Sequence, residues 1–291
     1  MPEKNYDRAA QDIGNIVNLG HVNVCISDQH LATHYYVSGL GLTRDPYLNT
    51  GAGNMWINVG MSQFHLPMGT PETLRGVIGL VIPDRAALLA RLARGRKALA
   101  GTKFDFRESN DCVETVCPWG NRIHVHTPDL EQFGRIQLGM PYIRFDVRPG
   151  TATRIARFYR EVLHAPSEVV KNGAGAEARV QVGDQQYFYF REIDAPEKPY
   201  DRHHVQIYIS DFSGPHRRLQ ELGILTAETG EYEYRFQDII DLDSREVLFT
   251  VEHETRSQTN PMYGRPLVNR NPAQSNMDYK PGHDELAWAL S

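Results

Sequence analysis

An α+β fold assembled from four βαβββ modules is predicted by three features of this 291-residue sequence. First, four segments share one plan, a half-apolar strand that leads through a short turn into a helical pattern. They are GHVNVCISD (20–28), GVIGLVIPD (76–84), PYIRFDVRPG (141–150) and HHVQIYISD (203–211). Second, each helical stretch is followed by short alternating runs broken by Gly, Asn or Pro, which read as strands in hairpins. Third, the pattern has a higher order. The first and third helices carry an aromatic pair and then a leucine, Tyr35–Tyr36 with Leu40 and Phe158–Tyr159 with Leu163, while the second and fourth close with Leu92 or Leu222 near a glycine. Self-similarity at this period marks repeated supersecondary units.

Taken in order, the first strand ends at Asp28, a favoured N-cap, before the helical stretch QHLATHYYVSGLGL; NMWINVG and SQFHLPMG then form a hairpin. The second unit runs from Asp84 into RAALLARLARG and ends on NRIHVHTP (121–128). In the third, Pro149-Gly150-Thr151 opens the helix TATRIARFYREVLHA, followed by ARVQVGD and QYFYFRE. The fourth passes from Asp211 into FSGPHRRLQELGI. The predicted organisation is an N-terminal extension (1–18), a first pair of modules (19–129), a second pair (139–254) and a C-terminal arm (255–291). The arm is rich in Pro and Asn, with sparse apolar anchors at Met262, Tyr263, Leu267, Val268 and Trp288, and reads as a surface strap or a flap over a cavity mouth.

Composition narrows the function. Hydrophobic residues at 41% and charged residues at 23% are those of a globular protein, and a net charge of −5 with mixed signs argues against nucleic acid as a partner. The longest apolar run, 76–83, is too short to span a bilayer and reads as a buried strand. The polar N-terminus lacks the apolar stretch of a signal peptide, and Cys25, Cys112 and Cys117 are few, odd in number and without paired spacing, so a cytoplasmic location is expected.

The segments GHVNVCISD, HYYVSGLGL, CPWGNRIHV and RFYREVLHA resemble the vicinal oxygen chelate superfamily, which contains glyoxalase I, bleomycin-resistance proteins, fosfomycin-resistance enzymes and extradiol ring-cleavage dioxygenases. The resemblance covers about 235 residues, and four modules in one chain is the layout of two-domain extradiol dioxygenases. It implies that modules pair into two open, barrel-like domains, and that metal ligands come from the first and last strands of each module. It identifies a fold far more closely than a reaction.

Carried onto this sequence, the ligand positions of the N-terminal half are His21, His65, Val77 and His124, and those of the C-terminal half are Tyr142, Phe188, His204 and Leu248. Three metal-capable side chains against one places the expected metal on His21, His65 and His124, with His126 the alternative to His124 if the strand slides by two residues. Three neutral imidazoles suit one divalent ion (Fe, Mn, Zn or Ni) and leave positions open for water or substrate. Ring-cleaving members of the superfamily use two histidines and a glutamate, and glyoxalase-type sites also use glutamate; these expected positions hold no carboxylate. The lone His204 among aromatics reads as a core residue.

His126 and Glu114 are candidates for acid–base work beside the metal. Asn23, Trp56 and Phe64 are candidates for lining the substrate cavity. The implied function is a metal-dependent enzyme on a small oxygen-rich substrate, aromatic ones included. Ring-cleavage-type oxygenation comes first; the alternatives are a glyoxalase-type lyase or isomerase and a non-catalytic small-molecule binding protein. No membrane partner is expected, and self-association into a homo-oligomer is left open.

Overall fold

The computed structural model describes residues 6–48, 53–172 and 175–270. The first module comprises β1 (Ile16–Asn23), α1 (Gln29–Ala32) continued by a π-helical stretch (Thr33–Gly39), β2 (Thr43–Arg44), β3 (Asn54–Val59) and β4 (Ser62–Pro67). The second comprises β5 (Gly76–Val81), α2 (Arg85–Gly95), β6 (Asp105–Glu108), β7 (Val113–Val116) and β8 (Arg122–His126). After the single turn α3 (Leu130–Phe133) the third module supplies β9 (Gly139–Val147), α4 (Ala152–Val162), β10 (Ser167–Asn172), β11 (Gly175–Gly183) and β12 (Gln186–Glu192). The fourth supplies β13 (His204–Ile209), α5 (Ser213–Glu221), β14 (Leu225–Gly230), β15 (Glu233–Ile240) and β16 (Val247–Ser257).

The helix entries follow the sequence chemistry. Asp28 accepts from the His30 and Leu31 amides, Asp84 from the Ala87 amide and Asp211 from the Gly214 amide. Thr151 turns its hydroxyl back to the Arg148 carbonyl instead, and Glu192 caps the free Ala152 amide from a neighbouring strand.

Two eight-stranded mixed sheets result, in the orders β14-β15-β16-β13-β1-β4-β3-β2 and β10-β11-β12-β9-β5-β8-β7-β6. Each is curved around two modules and stays open at its edges. The pairing of modules differs from expectation. Consecutive modules do not share a sheet: β1 pairs antiparallel with β13, so the first module joins the fourth, and β5 pairs antiparallel with β9, so the second joins the third. The contiguous domains 19–129 and 139–254 are therefore replaced by a nested arrangement. Every module offers the same free edge, that of its first strand, so the internal repeat leaves the choice of partner undetermined. Residues 127–138 turn the chain so that β9 enters beside β5, and the first and fourth modules then close on each other.

Helices cover the outer faces, and one continuous apolar core lies between them and the sheets. Tyr35, Tyr36, Phe64, Phe145, Phe158, Tyr159, Phe188 and Phe190 are all fully buried in it. Among them sits a fully buried polar group, His253. Its ring stacks on Phe236 (centroids 4.3 Å apart, 9° between planes), its Nδ1–H donates to the Val251 carbonyl (2.9 Å), and its Nε2 accepts from the Tyr159 hydroxyl (2.6 Å). Burial pushes its pKa down to about 3, so the folded protein holds it neutral. The unfolded chain protonates this ring near pH 6.5, so its contribution is fully present above that pH and is lost as pH falls toward 3. The slope is about 1.4 kcal/mol per pH unit for one proton. Urea titrations at several pH values between 4 and 7 should show a wild-type slope steeper than that of His253→Phe by about one proton.

Candidate metal centre

On the concave face of the first sheet, neighbouring strands place polar side chains where an ordinary sheet would pack apolar ones. His21 and Asn23 project from β1, His65 from β4, His204 and Gln206 from β13, and Glu252, Glu254 and Arg256 from β16, each spaced by two along its strand. Nitrogen atoms of His21, His65 and His204 lie within 4.8 Å of one another. The fourth group is Glu254, whose Oε2 is 3.4 Å from His204 Nε2 and 3.9 Å from His21 Nε2. Both Nε2 atoms are buried without a hydrogen-bond partner. With metal–ligand bonds of about 2.1 Å, adjacent donors on one ion lie roughly 3–3.5 Å apart and opposite ones about 4.2 Å. Three imidazoles within 4.8 Å of one another and a carboxylate 3.4 and 3.9 Å from two of them stand slightly wider than this. With two ring nitrogens otherwise unmet, the donor set fits a divalent first-row ion that would draw them together.

The protonation states suit that role. Burial pushes His21 well below its ordinary value and His65 down to about 4, so both are neutral at pH 7. Burial alone would raise the Glu254 carboxyl, but contacts with His21, His204 and the guanidiniums of Arg256 and Arg235 outweigh that and hold it well below the usual range. Arg235 reaches Oε2 and Arg256 reaches Oε1, each at 2.5 Å. Around His65 the supporting contacts are as specific. Asn23 donates to Nδ1 (2.7 Å), Nε2–H donates to Asn54 Oδ1 (2.9 Å), and Trp56 stacks on the ring at 3.9 Å with 10° between planes. A ligand bond from His65 therefore replaces one of its two amide contacts.

His21 also faces a cavity of about 510 Å³, bounded by Gln63, Gln206, Tyr208 and Arg256 on the sheet and by Met262, Tyr263 and Arg265 of the C-terminal arm. Residues 258–270 cross from the fourth module onto the first and cover this mouth; Trp288 and the rest of 271–291 lie outside the described residues. The arm is pinned by polar contacts. Arg265 pairs with Asp45 (2.6 Å), Asn58 donates to the Val268 carbonyl, and Asn269 exchanges two hydrogen bonds with Gly60. Asp45→Asn keeps the shape of its side chain but removes the charge that holds Arg265. Trypsin should then cleave after Arg270 several-fold faster (Arg265 precedes Pro266, a bond trypsin does not cut), with about 1–2 kcal/mol lost from overall stability.

The structure brings His21, His65, Asn23 and Trp56 together and separates the other sequence candidates from them. His124 and His126 stand on β8 in the second sheet, and Glu114 on β7 beside it, paired in register with His124 and bound to Arg107 at 2.6 Å. They cannot serve a metal held by His21, because the first module pairs with the fourth and not with the second. Phe64 alternates with His65 and points the opposite way, into the helix-side core against Tyr36 (4.9 Å between ring centroids).

Register explains which of these positions the structure brings together. Four corresponding cross-strand pairs are Asn23 with His65, Gly79 with His124, Arg144 with Tyr189, and Gln206 with Glu254. The ligand-type positions of the third and fourth modules are thus Tyr189 and Glu254, in place of the expected Phe188 and Leu248. His204 stands in the cluster with His21 and His65 and is not a lone core histidine. Its signal was present: HVNVCISD (21–28) and HVQIYISD (204–211) agree at five of eight positions, more closely than any other two modules.

No protein-family model and no curated protein sequence matches this chain. Solved structures do. Glyoxalase I from Zea mays aligns over 83% of this chain and 92% of its own at 13% identity, with a TM-score of 0.56. A "putative dioxygenase" from Bacillus subtilis subsp. subtilis str. 168 aligns over 85% and 87% at 14% identity, with a TM-score of 0.53. The chain has the vicinal oxygen chelate fold. At these identities the likeness concerns the fold; the vicinal oxygen chelate scaffold supports several reactions, so the chemistry rests on the site itself. No helix among the described residues is long and apolar enough to cross a membrane.

Proposed function

We propose that this protein is a metal-dependent enzyme of the vicinal oxygen chelate type, with its metal site between the first and fourth modules, acting on a small oxygen-rich substrate. The carrying observation is the convergence of His21, His65, His204 and Glu254 beside the 510 Å³ cavity. A divalent ion held there would supply a Lewis acid able to bind neighbouring oxygens of the substrate and to stabilise negative charge developing on one of them. The chain's own groups do the rest. Asn23, Asn54 and Trp56 fix the ring of His65, and Arg235 and Arg256 keep Glu254 ionised. The arm limits water at the cavity mouth, and Tyr208 and Tyr263, packed at 4.9 Å, offer it an aromatic wall. Glu252, 3.7 Å from His204 Nδ1 and paired with Arg235 at 2.6 Å, is a second carboxylate at the cluster that could accept a proton.

Ligand count favours proton-transfer chemistry, that of a lyase or isomerase. Four protein donors leave about two positions on an octahedral ion, and a chelating substrate fills both. One observation favours the oxygenase reading: Glu254 is already held by two guanidiniums, and if it stays with them three histidines leave room for substrate and dioxygen together. Protein purified without a histidine tag, loaded with Zn, Ni, Mn or Fe and assayed on hydroxy-aldehyde, hydroxy-acid and catechol-type compounds, distinguishes the two. Turnover without oxygen uptake is expected; uptake with iron or manganese selects the oxygenase. Failure of every loaded form to bind metal near one equivalent removes the enzyme reading.

A further inference from the structure

The second sheet holds an unassigned site of a different kind. Its ligand-type positions carry Val77, His124, Tyr142 and Tyr189, which cannot assemble a metal centre, yet their surroundings are built and not simply filled. A cavity of about 130 Å³ opens there between Tyr142, Tyr187, Tyr189, Phe133, His126 and Arg144. Tyr142 lies flat over Gly79, where a Cβ would come within 2.3 Å of its ring, so the glycine seats it. Tyr189 meets Tyr142 edge to face (5.6 Å, 77°), and the Tyr142 hydroxyl shares a hydrogen bond with His126 Nε2 (3.0 Å). The guanidinium of Arg144 stands 5.5 Å from the ring centre of Tyr142 and 5.9 Å from that of Tyr189. Among the described residues its one ion pair is to Glu177 at 3.5 Å, beyond good hydrogen-bond length, and its Nε is buried without a hydrogen-bond partner.

We propose that this cup is a second binding site, for a small aromatic carboxylic acid whose ring packs on the tyrosines and whose carboxylate takes the unmet donors of Arg144. The volume lies well below the roughly 300–1,000 Å³ of a drug-sized site, which limits the ligand to a single ring. A guanidinium fork recognises a planar carboxylate in two-point fashion, and the tyrosine walls favour a flat ring over an aliphatic one.

The test is calorimetric titration of chelator-treated protein with benzoate, cyclohexanecarboxylate and phenol; removing metal first keeps the first site from binding the carboxylate. Benzoate should bind saturably at one equivalent, with phenol and cyclohexanecarboxylate clearly weaker. Arg144→Gln should weaken benzoate about tenfold or more, the loss of a charge-assisted contact. Tyr189→Leu should weaken it as well, and Arg144→Lys should restore part of the affinity while keeping the sheet's charge. Absence of saturable benzoate binding, equal affinity in folded Arg144→Gln, or phenol binding as tightly as benzoate would overturn the assignment.

Discussion

His204→Ala is expected to weaken divalent-metal binding by more than about 100-fold, the loss that removal of a supporting partner alone can reach, while His124→Ala leaves affinity within about twofold. The contrast follows from the sheets. His204 Nε2 faces Glu254 Oε2 at 3.4 Å and belongs to the same cluster as His21 and His65, whereas His124 stands in the other sheet opposite Glu114. Removing His204 leaves two imidazoles and a carboxylate already engaged by two arginines. Competition titration against a fluorescent chelator reads both variants directly. A His124→Ala protein that loses metal while His204→Ala retains it would mean that the first and second modules pair in solution.

Arg256→Ala should cost the metal-free protein about 3 kcal/mol, as expected when one partner of a buried ion pair is removed. Glu254 is 2% exposed and its Oε1 takes Arg256 at 2.5 Å, so the substitution leaves a carboxylate in the sheet interior with Arg235 alone to balance it. For a chain of this size the thermal midpoint should fall by roughly 6–12 °C. A divalent ion then becomes the missing positive charge. At one fixed metal concentration the variant should bind the ion more tightly and its midpoint gain should exceed that of the wild type, whose site is already neutralised; a concentration 100 times Kd corresponds to about 2.7 kcal/mol. Calorimetric scans with and without metal give both shifts. A midpoint unchanged by Arg256→Ala, or a metal shift no larger than in the wild type, contradicts the electrostatic account of Glu254.

Much of the fold is legible in the sequence because strand alternation and helix capping are local. The three aspartates at 28, 84 and 211 mark helix entries that the structure reproduces, and His21, His65 and their neighbours Asn23 and Trp56 are found on one concave face. What local pattern does not carry is which free edge meets which. That choice depends on how residues 127–138 turn the chain, and it decides whether His21 faces His124 or His204. Phe188 fails by one residue because its strand starts at Gln186 behind a bulge between Gln181 and Gly183, and a slip of one reverses the face. Glu254 is missed for a similar reason. The turn 241–246 is one residue longer than 117–121, and Glu254 is the eighth residue of β16 where His124 is the third of β8, so matching the turns by sequence places the ligand-type position six residues early, at Leu248.

The most direct measurement is an anomalous difference map from crystals soaked in a first-row divalent salt, collected at the absorption edge of that metal. The account predicts one strong peak about 2.0–2.2 Å from a nitrogen of each of His21, His65 and His204 and from a Glu254 oxygen, with none at His124 or His126. A principal peak on the second sheet, or none between the first and fourth modules in protein that binds metal in solution, would contradict it.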